Sequence, residues 1–277
     1  MSENSEIEWT DNTWSPWEGC QKVGPGCDHC YAESMNRWLR RGENWGPGAS
    51  RRIYSDDHWE KPGRWNRAAK QSGRTIKVFP SVCDPFDNAA PADQRIRFAR
   101  LIVDTPELTW LLLTKRIGNA ATMLGEMFPE GIPRNVWIGA TIVNREELLR
   151  DARKLKEIRA CVRFWSVEPM LGDLGDIPVD LMPDWVICGM ESGRGARPGN
   201  PAWARSLRDQ CIPVGVPFLY KQNGEWIHVP GFAETTCDAI FRFDDGTCMR
   251  RVGKKESGRL LDGVLHNSFP DAPVRQS

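Results

Sequence analysis

No run of about 18 apolar residues occurs anywhere in the chain, so nothing in it reads as a membrane span. The opening stretch, MSENSEIEWTDNTW, has neither a basic n-region nor an apolar h-region and does not read as a secretory signal. Net charge is missing too: 37 Lys and Arg balance 37 Asp and Glu, which excludes a global attraction to polyanions and makes any nucleic-acid surface a local one. There is no repeat of fixed period and no low-complexity tract. Nine cysteines, an odd number and mostly scattered, do not make a disulfide framework. They point instead to a reducing, cytoplasmic setting in which clustered thiols bind metal or act in catalysis.

What is present is the composition of a soluble globular protein, 40% apolar and 27% charged over 277 residues, enough for one large α/β domain. Thirteen Trp residues are many, but aromatic rings suit cores and stacking surfaces equally. Short runs rich in Val, Ile, Leu and Trp recur: TIKVFPSVCDPF (75–86), LTWLLLTKR (108–116), VWIGATIVN (136–144), VRFWSVEPM (162–170), DWVICGMESG (184–193) and VPFLYKQNGEW (216–226). Each is too short for a typical helix and reads as a strand buried on both faces. Helical periodicity fills the gaps at 92–105, 145–160 and 201–214. With a strand near 7–14, the expectation is a partial parallel (β/α) barrel of six to seven strands over residues 1–230. A C-terminal extension over 231–277 would carry a β-hairpin turning at Asp245-Gly246.

In such folds chemistry collects at the carboxyl ends of the strands. Those ends here are Ser81, Cys83 and Asp84; Thr114, Lys115 and Arg116; Thr141 and Asn144; Ser166 and Glu168; Glu191 and Ser192; Lys221 and Gln222. Exposed strand ends are ordinarily polar. Glu168 and Glu191 stand out because each follows a strongly apolar run, where a carboxylate is costly unless paired or used. The glycines around Arg197 in GMESGRGARP suit close approach to a polar ligand. A basic first crossover, residues 37–74, interleaves Trp38, Trp45, Trp59 and Trp65, and RRVGKKESGR (250–259) is a second basic patch. Phosphate contact with base stacking is one reading of them; a solvated flap over buried Trp is the plainer one.

Cys20, Cys27 and Cys30 form C-x6-C-x2-C directly after the first expected strand. Structural zinc would need a fourth ligand, with His58 or Cys83 as candidates. A redox dithiol would use only Cys27 and Cys30. An iron–sulfur cluster on three thiolates, with one iron left open, uses all three, and their strand-end position favours that reading.

A cysteine triad after the first strand of a partial parallel barrel, with Tyr31 following the third Cys, resembles the radical S-adenosylmethionine (radical SAM) superfamily. The segments EWTDNTWSPWEGCQKVGPGCDHCYAE, LLLTKR, SVEPMLG, ESGRGARP, SLRDQC, VPFLYKQNGEW and RVGKKESGRLLDG resemble, more closely, a largely uncharacterised phage and prophage three-cysteine-motif family. The resemblance implies an enzyme with a radical SAM-type barrel and a 4Fe–4S cluster on Cys20, Cys27 and Cys30. It also implies S-adenosylmethionine on the open iron, cleaved by one-electron reduction to a 5′-deoxyadenosyl radical, and a flavodoxin- or ferredoxin-type electron donor. It places Tyr31, Ser81, Asp84, Lys115, Thr141, Asn144 and Glu168 as cofactor-binding candidates. Glu191, Ser192, Arg197, Lys221 and Gln222 are left for a substrate, nominated as a nucleotide, nucleobase or nucleic acid. The first cysteine gap is three residues longer than the superfamily's C-x3-C-x2-C, and SVCDP stands where Gly-Gly-Glu is usual. The alternative is a zinc-stabilised nucleic-acid-binding module without catalysis.

Overall fold

The computed structural model describes residues 1–230 and 240–271. Its main sheet has seven strands: β1 (Asn12–Thr13), β2 (Ile76–Phe79), β3 (Leu108–Thr114), β4 (Val136–Thr141), β5 (Val162–Val167), β6 (Trp185–Gly189) and β7 (Phe218–Gln222). They are ordered in the sheet as in the chain. Every pair with a described register is parallel, setting Asn12 opposite Val78, Ile76 opposite Leu108, Trp110 opposite Val136 and Val186 opposite Phe218. Helices α1 (Tyr31–Arg40) and α2 (Asp56–Ser72) lie between β1 and β2. They are followed by α3 (Ala92–Val103), α4 (Ile117–Met127), α5 (Arg145–Lys156) and α6 (Pro201–Cys211). The chain is thus α/β, with the strand order of a partial (β/α) barrel. Parallel strands covered on both faces need apolar side chains at successive positions, which is why β3 and β4 are near-continuous apolar runs.

The chain divides into two compact units, Met1–Ala140 with Lys154–Phe164 and Thr141–Arg153 with Trp165–Asp271. In the first, the core is aromatic. Trp14 sits edge-on to Trp59 and Trp110 at 5.1 and 5.6 Å, and Phe98 meets Trp110 at 5.2 Å. Such T-shaped contacts are preferred by the ring quadrupoles. Here β1 is only two residues long, where 7–14 were expected, because the chain before it doubles back. Thr13 N donates to Ser2 O at 2.9 Å and Ser5 N to Asp11 O at 2.7 Å, closing the open edge of β1 with backbone rather than with another strand.

The first crossover contains a 17-residue helix, α2, that its Pro62-Gly63 pair argues against. Tertiary packing overrides that local cost: His58, Trp59, Pro62, Trp65 and Ala69 share one buried face.

In the second unit, β8 (Trp226–His228), β9 (Ile240–Arg242) and β10 (Cys248–Arg251) form an antiparallel sheet with β10 in the centre. The Asp245-Gly246 turn connects β9 to β10 as expected, with Gly246 at φ +85° and Asp245 Oδ1 accepting from Thr247 N at 2.8 Å. Segments 231–239 and 272–277 of the expected extension lie outside the described residues. The free edge of β7 is covered by the chain near 266–268, where Tyr220 N donates to His266 O at 3.0 Å.

Candidate functional site

The cysteine loop starts at Gly19, whose N–H donates to Val82 O at 3.1 Å. Gly19 has φ +127°, and a methyl group there would strike the Asn44 carbonyl, so only glycine fits. Gly46 N then donates to Cys20 O at 2.9 Å, fixing Cys20 against the 42–46 turn. Pro25–Cys27 is a single 3-10 turn, and Cys30 is the N-cap residue of α1, its N–H donating to Cys27 O at 3.4 Å. The C-x2-C pair therefore flanks the turn that enters a helix. Glu18, two residues before Cys20, ties the loop to α1 and to the short strand Arg52–Ile53: it accepts from Asn36 at 2.7 Å and from Arg52 at 2.9 Å. Burial raises the Glu18 carboxyl, but these bonds and the Arg40 charge outweigh it and hold the group below the usual carboxylate range.

Cys20 meets a buried charge network. Arg116 donates from Nη1 to Cys20 Sγ at 3.3 Å and to Asp84 Oδ2 at 3.1 Å, and from Nη2 to Gln21 O at 2.8 Å. Asp84 also accepts from Thr114 Oγ1 at 2.7 Å, from Phe86 N at 2.9 Å and from Lys115 N at 3.1 Å. Its lone pairs are thus committed within the chain, and Asp84 joins the loop after β2 to the end of β3 rather than presenting an acceptor. Desolvation, with the Asp84 charge behind it, pushes the Cys20 thiol up to about 12, against the pull of Arg116. Desolvation likewise holds the Cys83 thiol well above the usual range. Behind this lies an ion pair with both side chains fully buried, Arg51 to Asp87 at 2.6 Å. Sequence reading missed it. The second aspartate of the DPFDN stretch was its one visible trace; Arg51 carried none.

The eight described cysteines are free thiols, and among the described residues no group of three His, Cys, Asp or Glu side chains stands ready as a metal site. The fit to a cluster is therefore one of donor type: three unbridged thiols, two at a helix entrance and one receiving a guanidinium hydrogen bond. Of the two candidates for a fourth zinc ligand, Cys83 pairs with Gly19 in an isolated bridge beside Cys20, whereas His58 is not positioned as one. His58 Nε2 lies 2.9 Å from Ser15 O, and its ring stacks on Trp14 at 4.9 Å and on Tyr54 at 4.2 Å, a core histidine. Tyr31, beside Cys30, donates its hydroxyl to Ser81 O at 2.7 Å. Of the crossover tryptophans, Trp59 and Trp65 are core, while Trp38 on α1 is 83% exposed.

In the second unit Asn144 is the N-cap of α5: its Oδ1 accepts from Glu147 N at 2.9 Å, while Glu147 Oε2 accepts from Val143 N at 3.0 Å. This is the capping pattern N-x-x-E, legible in the sequence. Thr141 is buried, and its hydroxyl makes no hydrogen bond. Glu191 is held by Arg197, with Nε at 2.9 Å and Nη2 at 2.6 Å, and by the Arg197 N–H at 2.7 Å. That loop is built on internal pairs. Gly193, next to Ser192, donates its N–H to Glu225 Oε1 at 2.8 Å, and Gly224, at φ +74°, packs against the Glu191 carbonyl where no side chain fits. Glu168 pairs with Lys221 at 2.9 Å, and Gln222 donates to Met190 O at 2.9 Å.

A parallel α/β sheet in chain order, with a cysteine loop after its first strand, is the class that fold and loop define together. The chain belongs to the family described as protein of unknown function (DUF5131), whose model matches residues 4–270. No curated protein and no solved structure matches it. Among the described residues no helix is long and apolar enough to cross a membrane.

Proposed function

We propose that this protein is a radical SAM enzyme that holds a 4Fe–4S cluster on Cys20, Cys27 and Cys30 and acts on a nucleotide, nucleobase or nucleic acid. The observation that carries this is the placement of three free thiols in one loop directly after the first strand of a chain-order parallel sheet. When bound, such a cluster supplies the electron that cleaves the sulfonium of S-adenosylmethionine, delivered by a flavodoxin- or ferredoxin-type donor. The chain's own part is positioning. Arg116 anchors Cys20 and Gln21 to the ends of β2 and β3 through Asp84, and the Arg51–Asp87 pair stiffens the floor behind them. Cys27 and Cys30 stand at the N-terminal end of α1, on either side of the turn that enters the helix. Lys22 lies 3.6 Å from Glu33 on α1 and donates to Asp28 O at 3.1 Å, closing the loop outward.

Anaerobic reconstitution with iron and sulfide tests the reading. The expected product is a brown protein whose colour is lost in Cys20→Ser, Cys27→Ser and Cys30→Ser and which cleaves S-adenosylmethionine when reduced. Stoichiometric zinc that iron does not displace, with no cofactor cleavage, overturns it in favour of a zinc-stabilised binding module. Comparing modified nucleosides in DNA and RNA from cells with and without the active protein then identifies the substrate.

A further inference from the structure

A cavity of about 180 Å³ lies within the second unit, between the ends of β6 and β7, the start of α6 and the C-terminal sheet. Met190, Tyr220, Trp226, Met249 and Leu261 supply its apolar walls. The two rings are fixed by their polar ends: the Tyr220 hydroxyl donates to Asn223 Oδ1 at 2.8 Å and Trp226 Nε1 to Ala196 O at 2.9 Å. What they have left to offer is ring surface. Gly199, also in the wall, lets Met190 take its place, since a methyl group there would strike the thioether sulfur. Methionine suits such a wall, because an unbranched, polarisable side chain adapts to an aromatic guest.

The rim adds polar groups that are incompletely used. Arg205 spends Nε on Asp262 Oδ1 at 2.7 Å, and Arg208 takes Oδ2 at 2.8 Å, so both oxygens of this carboxylate are answered within the rim. Among the described residues, the two Nη atoms of Arg205 and the ring of His228 have no hydrogen-bond partner, and both side chains line the cavity. The Nη pair presents parallel N–H donors, the geometry that recognises a carboxylate or phosphate through two oxygens. The Arg205 side chain is 39% exposed and Leu260, also in the lining, is 52% exposed, so the cavity is reachable from solvent.

We infer that this cavity is a binding site for a single flat aromatic ring that carries a carboxylate or phosphate. The ring packs on Met190, Trp226 and Met249, and the anion takes Arg205 and His228 at the rim. Size sets the single ring: an apolar cavity of about 150 Å³ takes up one benzene. A mostly apolar lining with a few placed donors is the ordinary make-up of a small-molecule site. Two sources share this chemistry, a simple aromatic acid and a pyrimidine nucleotide. The inference goes beyond the function proposed above and does not require a cluster.

Isothermal titration calorimetry of the metal-free full-length chain tests it with matched pairs, benzoate against benzamide and cytidine monophosphate against cytidine. In at least one pair the anion is expected to bind at least tenfold tighter than its neutral partner, because hydrogen bonds to charged groups are the strong ones. Binding in the benzoate pair alone identifies a simple aromatic acid as the source, and binding in the cytidine pair a nucleotide. Arg205→Gln is expected to cut the preference for the anion to less than twofold, with circular dichroism confirming the fold. Methyl-labelled methionine spectra place the ligand: the Met190 and Met249 signals, assigned through Met190→Leu and Met249→Leu, are expected to shift under the ring current. No binding of either anion at millimolar concentration, equal affinity within both pairs, an unchanged preference in Arg205→Gln, or unmoved Met190 and Met249 signals overturns the inference. Since no iron is present, that result leaves the cluster reading to its own test, and a failed reconstitution leaves this one standing.

Discussion

Arg116 reaches Cys20 Sγ at 3.3 Å and Asp84 Oδ2 at 3.1 Å with the same Nη1, so a single guanidinium nitrogen joins a loop thiol to a buried carboxylate. Nη2 of that group takes Gln21 O at 2.8 Å. The planar fork of an arginine spans these acceptors at once; a lysine ammonium is a point charge on a flexible stem. Arg116→Met leaves the Asp84 charge buried without its cation. The expected loss is about 3–5 kcal/mol in urea unfolding of the metal-free chain, with Arg116→Lys falling between wild type and Met. An Arg116→Met variant of wild-type stability would show that the network holds nothing.

The Arg51–Asp87 pair is fully buried and invites a double replacement. Each single change, Arg51→Met or Asp87→Leu, strands one charge and is expected to cost about 3–5 kcal/mol. The double variant removes both charges and is expected to recover much of that loss. Denaturant midpoints of the four proteins measure the coupling, and simple additivity would contradict it.

Gly139, in the middle of β4, faces the Phe164 ring so closely that a methyl group would lie inside it. Overpacking of this kind costs about 1–3 kcal/mol. Gly139→Ala should lower the melting temperature, and pairing it with Phe164→Leu should restore part of the loss. Calorimetry reads both.

His58 is held below the ordinary imidazole range by burial, with the nearby Lys61 and Arg52 charges acting in the same sense and the Ser15 carbonyl opposing them. The unfolded chain therefore binds the proton more readily than the folded one. The His58 contribution is present above the unfolded pKa of about 6.5 and is lost as pH falls from there through the folded value. Stability measured in urea from pH 8 to 5 should drop more steeply in wild type than in His58→Gln. Parallel profiles would rule this out.

The crossover tryptophans separate by packing. Trp59 is buried against Trp14, with Arg97 stacked over it at 4.2 Å, so Trp59→Ala should cost about 3–5 kcal/mol. Trp38 is 83% exposed, and Trp38→Ala should leave the melting temperature within about a degree, since surface changes seldom exceed 0.5 kcal/mol. If Trp38 stacks on bases, its replacement weakens single-strand binding with no change in stability.

Apolar patterning by itself determined the class of this fold. The runs ending at Thr114, Thr141, Val167, Gly189 and Gln222 are strands, because short sequences apolar at successive positions are stable only when buried on both faces. The spacing of Cys20, Cys27 and Cys30 and the Asp245-Gly246 turn were equally local and equally legible, whereas Asn144, expected to contact a cofactor, caps α5. Partnership was not. Which strand-end residues spend their hydrogen bonds inside the chain, as Asp84 and Glu191 do, depends on neighbours 30 or more residues away for one and on a folded-back loop for the other. Arg51 finds Asp87 36 residues later, and Pro62 sits inside a helix because Trp59 and Trp65 pack beside it. Local sequence carries periodicity and turn chemistry; desolvation and pairing belong to the assembled tertiary structure, which alone decides which polar groups are left for a ligand.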